Sequence, residues 1–124
     1  MDRGIELILN STHDAMIAVD KEGMITLYNR AAEILTNTKS ENAIGKYVGD
    51  VVQDTRLPFI LKTGKSELNR QQRLGKIKIV TNRMPILNED KEVIGAIAVF
   101  RDISEVIKLA EEVTNLKEIQ SMLE

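Results

Sequence analysis

The chain has 124 residues, of which 43% are hydrophobic and 29% charged, a composition typical of one soluble globular domain with an aliphatic core. A net charge of −2 at pH 7 gives no general attraction to nucleic acid or anionic membranes, so we expect no direct contact with either. The lack of Cys excludes disulfides, thiolate metal sites and cysteine nucleophiles. With no signal peptide and no apolar run long enough to span a membrane, we expect a cytoplasmic location.

The first part of the chain predicts a short helix and then a β-hairpin. Residues 1–12 place their apolar side chains on one helical face, which indicates an amphipathic lead-in helix. Residues 15–20 and 24–28 are rich in strand-forming residues. The connection at 21–23 is short enough to force the two strands into an antiparallel hairpin.

Short helices are predicted directly after the hairpin. Asn29 is placed to cap a helix at 30–36. Ser40 and Gly45 have the residue types of an N-cap and a C-cap around a second helical turn. Both elements are too short to be stable alone, so we expect them to pack on the strands.

A third helix and three more strands complete the predicted domain. Asp54 or Thr55 would cap the helix, Pro58 is tolerated in its first turn, and Gly64 would close it. The extended segments that follow are residues 66–74, 76–87 and 93–102. This order of elements predicts an α+β fold, in which a five-stranded antiparallel sheet carries short helices on one face. We expect one concave pocket between the sheet and the helices.

A helix with a heptad pattern follows the last strand, with no Gly or Pro between them. Its apolar residues recur at alternating three- and four-residue steps, as in a coiled-coil seam. The predicted seam consists of Val106, Leu109, Val113, Leu116 and Leu123. Asp102 is placed as an N-cap and Glu105 would complete a capping box, so strand and helix should meet at one defined point. The alternative is a stripe that packs back on its own domain.

Several local motifs together resemble the PAS family of sensory domains. Residues 17–20, Ile-Ala-Val-Asp, with Gly23 are similar to the first PAS hairpin, and residues 28–32, Tyr-Asn-Arg-Ala-Ala, to the entry into the first PAS helix. Residues 102–104, Asp-Ile-Ser, are similar to the end of the last PAS strand. The resemblance implies an internal ligand pocket, dimerisation through flanking helices and control of an effector domain in the same full-length chain. The domain boundaries are then 1–12 for the lead-in helix, 13–102 for the PAS domain and 103–124 for the C-terminal signalling helix.

The resemblance also bears on cofactors. PAS domains that bind flavin covalently use a Cys, and the chain has none. Haem-binding members usually place a His on the helix that corresponds to 54–64, where this chain has no His. These residues argue against haem and covalent flavin, and the ligand is left unidentified. No metal site is expected either, because His13 is the only His in the chain.

Five residues are candidates for the ligand pocket. Tyr28 and Asn29 border the pocket that the resemblance implies. Arg56, Arg70 and Arg83 could each hold a carboxylate or phosphate if the side chain points inward, since the planar guanidinium suits bidentate capture. The alternative for the strand arginines is a solvated edge that discourages aggregation. For Asn29, the helix N-cap is a sufficient explanation.

The predicted function is regulatory rather than enzymatic, because the sequence offers no nucleophile with a neighbouring base. A signal in the pocket would pass through Arg101 and Asp102 to a dimeric helix and then to the effector. Residues 55–64 and 84–86 are similar to PAS domains of sigma-54-class transcriptional activators, which predicts that kind of effector. The alternatives are a sensor module of a histidine kinase and a ligand-free PAS dimerisation module. The chain ends in the middle of a heptad, so we expect it to be part of a larger protein.

Overall fold

The computed structural model describes residue 4 and residues 13–123, so the predicted lead-in helix lies, apart from Gly4, outside the described residues. Five strands form one antiparallel sheet in the spatial order β2-β1-β5-β4-β3. The strands are β1 Ala15–Asp20, β2 Ile25–Tyr28, β3 Glu67–Leu74, β4 Ile77–Leu87 and β5 Val93–Asp102. This sheet, with its helices on one face, confirms the predicted α+β architecture.

The helices divide into a short group beside the sheet and one long helix after it. They are α1 Arg30–Thr36, a 3-10 helix Ser40–Asn42, α2 Val48–Val51, α3 Leu57–Thr63 and α4 Ser104–Leu123. Helix α2 was not predicted. It has no side-chain cap, and its start is held by a hydrogen bond from the backbone N of Val48 to the carbonyl O of Gly23, 2.9 Å away. A tertiary contact therefore fixes an element that local sequence does not favour.

The second predicted helical turn differs in its capping. Ser40 does not act as the N-cap but begins the 3-10 helix, and its backbone N donates to Oε2 of Glu33 at 2.8 Å. Gly45 is not the C-cap either, because the helix ends at Asn42. Gly45 has φ +85° and donates its N–H to the carbonyl O of Ile25. A carboxylate and a strand carbonyl, both distant in sequence, replace the predicted local caps.

Helix α3 begins later than predicted, at Leu57 instead of the region of Asp54. Asp54 has φ +56°, a left-handed conformation that cannot continue into a helix. Thr55 Oγ1 accepts a hydrogen bond from the backbone N of Leu57 at 3.3 Å, so it supports the first turn from outside. The predicted end is confirmed: Gly64 has φ +66° and its N–H donates to the carbonyl O of Ile60.

The core lies between the sheet and α1 to α3. Alternate residues of β1 and β5 face it, and Ile17 pairs with Ala98 across the two strands. Phe100 is 6% exposed and closes the end of this row. The two strands approach closely at Gly95, where an added Cβ would lie 2.5 Å from the carbonyl O of Val19. The glycine on β5 thus allows the close approach of the β1 backbone at this position.

The last strand continues almost directly into α4. The carboxylate of Asp102 accepts a hydrogen bond from the backbone N of Ser104 at 2.8 Å. Asp102 is nevertheless not the N-cap that the sequence predicted, because the helix begins at Ser104 and the carbonyl O of Ile103 accepts its first bond, from the backbone N of Ile107. Ser104 Oγ accepts from the backbone N of Lys78 at 3.1 Å, and Ile103 donates to the carbonyl O of Lys78 at 2.9 Å. The start of α4 is therefore attached to β4 as well as to β5. In the described chain, Glu105 makes no return bond to Asp102, whose backbone is still paired with Ile79.

Candidate functional site

A small cavity of about 30 Å³ lies between the sheet and the segment that carries α2 and α3. This is room for roughly two water molecules, at about 10–15 Å³ for each. Most of its lining is apolar, including Ile17, Leu57 and Phe100. The polar lining residues are Thr36, Thr55, Arg56, Gln72, Thr81 and Arg83. In this conformation the cavity does not accommodate a haem or a flavin ring system.

Arg83 is the buried charge of the site. Its side chain points inward from β4, and the residue is 4% exposed. Its NH1 group donates to Oε1 of Glu67 at 3.3 Å, and its NH2 group donates to Oε1 of Gln72. Burial lowers the pKa of Arg83 from its usual value, the charge of Glu67 opposes that change, and the charges of Arg56 and Arg70 add to it. The guanidinium is held inside by a carboxylate and an amide.

Glu67 connects this buried charge to the protein surface. Arg56 donates to both of its oxygens, from Nε to Oε1 at 3.1 Å and from NH2 to Oε2 at 2.6 Å. These hydrogen bonds are the main cause of a lowered pKa of Glu67. The guanidinium carbon of Arg56 also lies 4.3 Å from the ring centroid of Phe59, within cation–π range. We call Arg56, Glu67 and Arg83 the arginine–glutamate cluster.

A bulge in β3 brings Glu67 to this position. The regular pairing of β3 with β4 shifts between Glu67 and Arg70, and beyond the shift Glu67 lies opposite Arg83. Asn69, within the shift, has φ +55°, and its backbone N donates to Oδ1 of Asn82 at 2.8 Å. Arg70 is exposed, so the structure does not bring it into the cavity with Arg83. Sequence reasoning missed Glu67 because strand alternation does not reveal a bulge.

Thr81 lies two residues before Arg83 on β4 and lines the same cavity. It is 2% exposed, and its Oγ1 is the one buried side-chain atom without a hydrogen-bond partner among the described residues. A buried hydroxyl without a partner costs about 1–3 kcal/mol, so such groups usually face water or a ligand. The cavity therefore combines a buried cation with an unused hydroxyl.

Tyr28 is buried but does not line the cavity. Its hydroxyl forms a short hydrogen bond with Oγ1 of Thr36, which does line the cavity. Thr36 donates its own proton to the carbonyl O of Ala32 at 2.6 Å, so the Tyr28 hydroxyl is the donor. Burial raises the pKa of Tyr28. Tyr28 thus supports the cavity wall from behind.

Asn29 also lies outside the cavity lining, and its contacts are structural. Its Oδ1 accepts from the backbone N of Ala32 at 3.0 Å, which confirms the predicted N-cap of α1. The same oxygen accepts from the backbone N of Met16 at 2.9 Å, and Nδ2 donates to the carbonyl O of Asp14 at 2.9 Å. Asn29 therefore fastens the start of α1 to the segment that begins β1.

The predicted relay residues lie at the end of β5. The NH2 group of Arg101 donates to Oδ2 of Asp14 at 3.1 Å, which links this end of β5 to the residue before β1. Both side chains are partly solvated, so the pair contributes at most about 1 kcal/mol.

Beyond Asp102, all the predicted seam residues are exposed. Their exposed fractions range from 51% at Val113 to 83% at Leu123.

Neither a metal cluster nor a membrane-spanning helix is present in the described residues. Residues 4 and 13–123 contain no group of three or more His, Asp or Glu side chains arranged to hold a metal ion. Over the same part of the chain, no helix has the length and apolar character needed to cross a membrane.

The family follows from this fold and from a match to known sequences. A family model described as the PAS fold matches residues 4–103. The solved structure of a PAS domain from Colwellia psychrerythraea is similar, with a TM-score of 0.66 at 21% sequence identity, over 83% of this chain and 97% of that one. The chain therefore belongs to the PAS family.

Two curated relatives have a higher sequence identity and carry the names of sensor proteins. The chain is 45% identical over 114 residues to the sensor protein CitS of Halalkalibacterium halodurans, covering 90% of this chain and 21% of that protein. It is 40% identical over 108 residues to a probable C4-dicarboxylate sensor kinase of the same organism, covering 87% of this chain and 20% of that protein. The chain thus spans about a fifth of the length of these relatives.

Proposed function

We propose that this PAS domain is a non-catalytic signal-relay module of a sensor histidine kinase. The relatives that carry sensor-kinase names support this effector over the sigma-54-class activator predicted from the sequence. The PAS fold supports a sensory role, but the rest of the full-length protein determines what is phosphorylated.

The observation that carries the proposal is the joint between β5 and α4. Asp102 holds Ser104, and Ser104 and Ile103 are both bonded to Lys78 on β4. A shift of β4 relative to β5 therefore moves the first turn of α4 directly. A ligand can drive such a shift only if it binds the two arrangements of β4 and β5 with different affinities.

The surface of α4 supports a second copy of this chain as its partner. The seam is uncovered: Val106 and Leu116 are 64% and 66% exposed. None of the described residues of α4 is buried, so the stripe does not pack back on its own domain. In a coiled coil, the apolar residues at the first and fourth positions of each heptad, called a and d, become buried against an equivalent helix. We infer a parallel pair of helices that carries the signal out of a homodimer.

Insertions into α4 of the full-length protein test the relay. Each added helical residue rotates the downstream part by about 100°, so two added residues turn the seam by about 200°, to the opposite side of the helix. A full heptad restores that phase. We expect a two-residue insertion after Gln120 to change the rate of autophosphorylation with labelled ATP by about tenfold, and a full-heptad insertion to leave it close to that of the wild type. Equal rates for both insertions would contradict a relay through α4.

A second candidate function is a ligand-free dimerisation module. The observation that favours it is the small cavity, since about 30 Å³ leaves the interior mostly filled by its own side chains. Native mass spectrometry of the protein purified from its host separates the candidates. A retained small molecule supports sensing, while an unliganded dimer whose insertions leave autophosphorylation unchanged supports the constitutive module.

A further inference from the structure

We propose that the interior of this domain binds a short carboxylate at Arg83 and Thr81, in competition with the chain's own Glu67. This inference rests on the proposed sensory function and names the ligand class of the cavity. The ligand is of the size of acetate, and its two oxygens would take the places of the Glu67 carboxylate at Arg83 and of the missing partner at Thr81.

The charges of the site are the first argument. Arg56 and Arg83 share the single carboxylate of Glu67, and Arg70 acts on the same group from the surface. The site therefore has more positive than negative charge. Arg83 bears most of this imbalance because it is 4% exposed and cannot be compensated by bulk water. A second carboxylate would balance a charge that Glu67 now shares between two arginines.

The unused hydroxyl of Thr81 is the second argument. Thr81 Oγ1 and Arg83 line one cavity and stand two residues apart on β4, so both point to the same face of the sheet. A hydroxyl donor beside a guanidinium is a set of partners for a carboxylate with two oxygens. The existing room of about 30 Å³ is close to what a ligand of a few heavy atoms requires once the Glu67 carboxylate moves aside.

Glu67 is able to move aside. It lies on β3, the edge strand, at the start of the bulge, so its displacement breaks no pairing in the middle of the sheet. It would keep its two hydrogen bonds to Arg56, whose side chain is 47% exposed. The longer 3.3 Å bond to Arg83 is the one that would be lost. Glu67 thus acts as an internal carboxylate that holds the site when no ligand is present.

The position of the site suits the output joint. Thr81 pairs with Phe100 across β4 and β5, and Val80 pairs with Arg101. Lys78, which holds the start of α4, lies on the same strand. A ligand that pulls on Thr81 and Arg83 therefore acts on the strand that is bonded to the joint.

The test is a titration of the purified chain with sodium acetate, which replaces sodium chloride at constant ionic strength, followed by amide and side-chain NMR spectra. We expect saturable shifts at Gln72, Thr81 and Arg83. Glu67→Gln removes the competing carboxylate and should tighten acetate binding by about tenfold. Thr81→Val removes the hydroxyl and should weaken it by about tenfold, while Thr81→Ser should retain it.

The direction of the Glu67→Gln effect separates this proposal from a purely structural salt bridge, which predicts no gain in affinity. Absence of saturable shifts in both the wild type and Glu67→Gln overturns the proposal. Equal affinity in Thr81→Val and Thr81→Ser also overturns it, because binding is then elsewhere. If phosphate binds at the same residues with the same affinity as acetate, the site is not specific for a carboxylate and that assignment is wrong. None of these failures touches the kinase proposal, since the insertion experiment requires no added ligand.

Discussion

Strand β5 and helix α4 are consecutive, yet their apolar residues have opposite environments. Phe100 on β5 is 6% exposed, while Leu109 on α4, nine residues later, is 54% exposed. The domain thus gains its stability from its own core, whereas the apolar surface of α4 gains stability only from a partner. The joint at Asp102 separates a part that folds by itself from a part that is completed by assembly.

The largest effect that tests this comparison is expected from Phe100→Ala. Removing a buried aromatic ring next to the cavity should lower the free energy of unfolding by about 3–5 kcal/mol. The matched variant Leu109→Ala removes a side chain of the exposed stripe and should change the unfolding of the domain by less than about 0.5 kcal/mol. Urea titrations followed by circular dichroism measure both. Similar losses in the two variants would break the distinction between β5 and α4.

Gly95→Ala tests the close approach of β1 and β5. Adding a methyl group to a glycine often stabilises a chain through its unfolded state. Here the new Cβ would meet the carbonyl O of Val19 at 2.5 Å, and this backbone atom cannot move cheaply. We therefore expect a loss of about 1–3 kcal/mol in thermal or urea unfolding. The control is the opposite change on α4, Ala110→Gly, which should leave the free energy of unfolding of the domain nearly unaltered. If Gly95→Ala were instead more stable than the wild type, β1 and β5 would separate easily at this point.

Tyr28→Phe examines the wall behind the cavity. The variant loses one buried hydrogen bond to Thr36, which should cost about 1 kcal/mol. Because burial raises the pKa of Tyr28 above its unfolded value of about 10, its contribution is complete below that pH and is lost as the pH rises through the folded pKa. Tyr28→Phe should thus weaken the alkaline loss of stability in urea titrations at increasing pH. An alkaline loss of stability that is equal in the wild type and in Tyr28→Phe would contradict this contribution.

Glu67→Gln should have a smaller effect on folding. The pKa of Glu67 is lowered, chiefly by Arg56, so its contribution is present above the unfolded pKa of about 4.3 and is lost as the pH falls through the folded pKa. The difference in unfolding free energy between wild type and variant should be only about 1 kcal/mol at neutral pH, because the amide oxygen of Gln can still accept a hydrogen bond from the buried Arg83, and it should vanish in acid. Exposed Glu89→Gln is the control. A difference that grows on acidification would contradict the ion pair.

Much of the fold could be predicted because its signals are local. The alternation of β5 and the glycine after α3 mark their elements within the sequence itself, and residues 93–102 and Gly64 lie where they were predicted. Helix α2 could not be predicted. Val48–Val51 contains β-branched residues and a glycine, which disfavour a helix, and it forms because Val48 is bonded to Gly23 in the distant hairpin.

The site was predictable only in part. Arg83 could be named as an inward candidate, but equally Arg70, because the sequence does not reveal the shift in the pairing of β3 that separates Glu67 from Arg70. Glu67 has the sequence signature of a solvated strand end. Asn69 was the available signal, since asparagine adopts the left-handed conformation of a bulge more readily than most residues. The exposed state of the α4 stripe required the three-dimensional arrangement.

Val113→Asp should have the smallest effect on the folding of the domain and a decisive one on assembly. Val113 is 51% exposed in the single chain, so a charge there costs little until a second helix covers it. We expect the unfolding free energy of the domain to change by less than about 0.5 kcal/mol, while the dimer dissociates in sedimentation velocity experiments. Thr114→Asp adds the same charge one position outside the seam and should leave the dimer intact. A Val113→Asp protein that stays dimeric would show that the two copies contact each other away from α4. The apolar stripe of α4 would then not be stabilised by a second copy, and the contrast between β5 and α4 would fail.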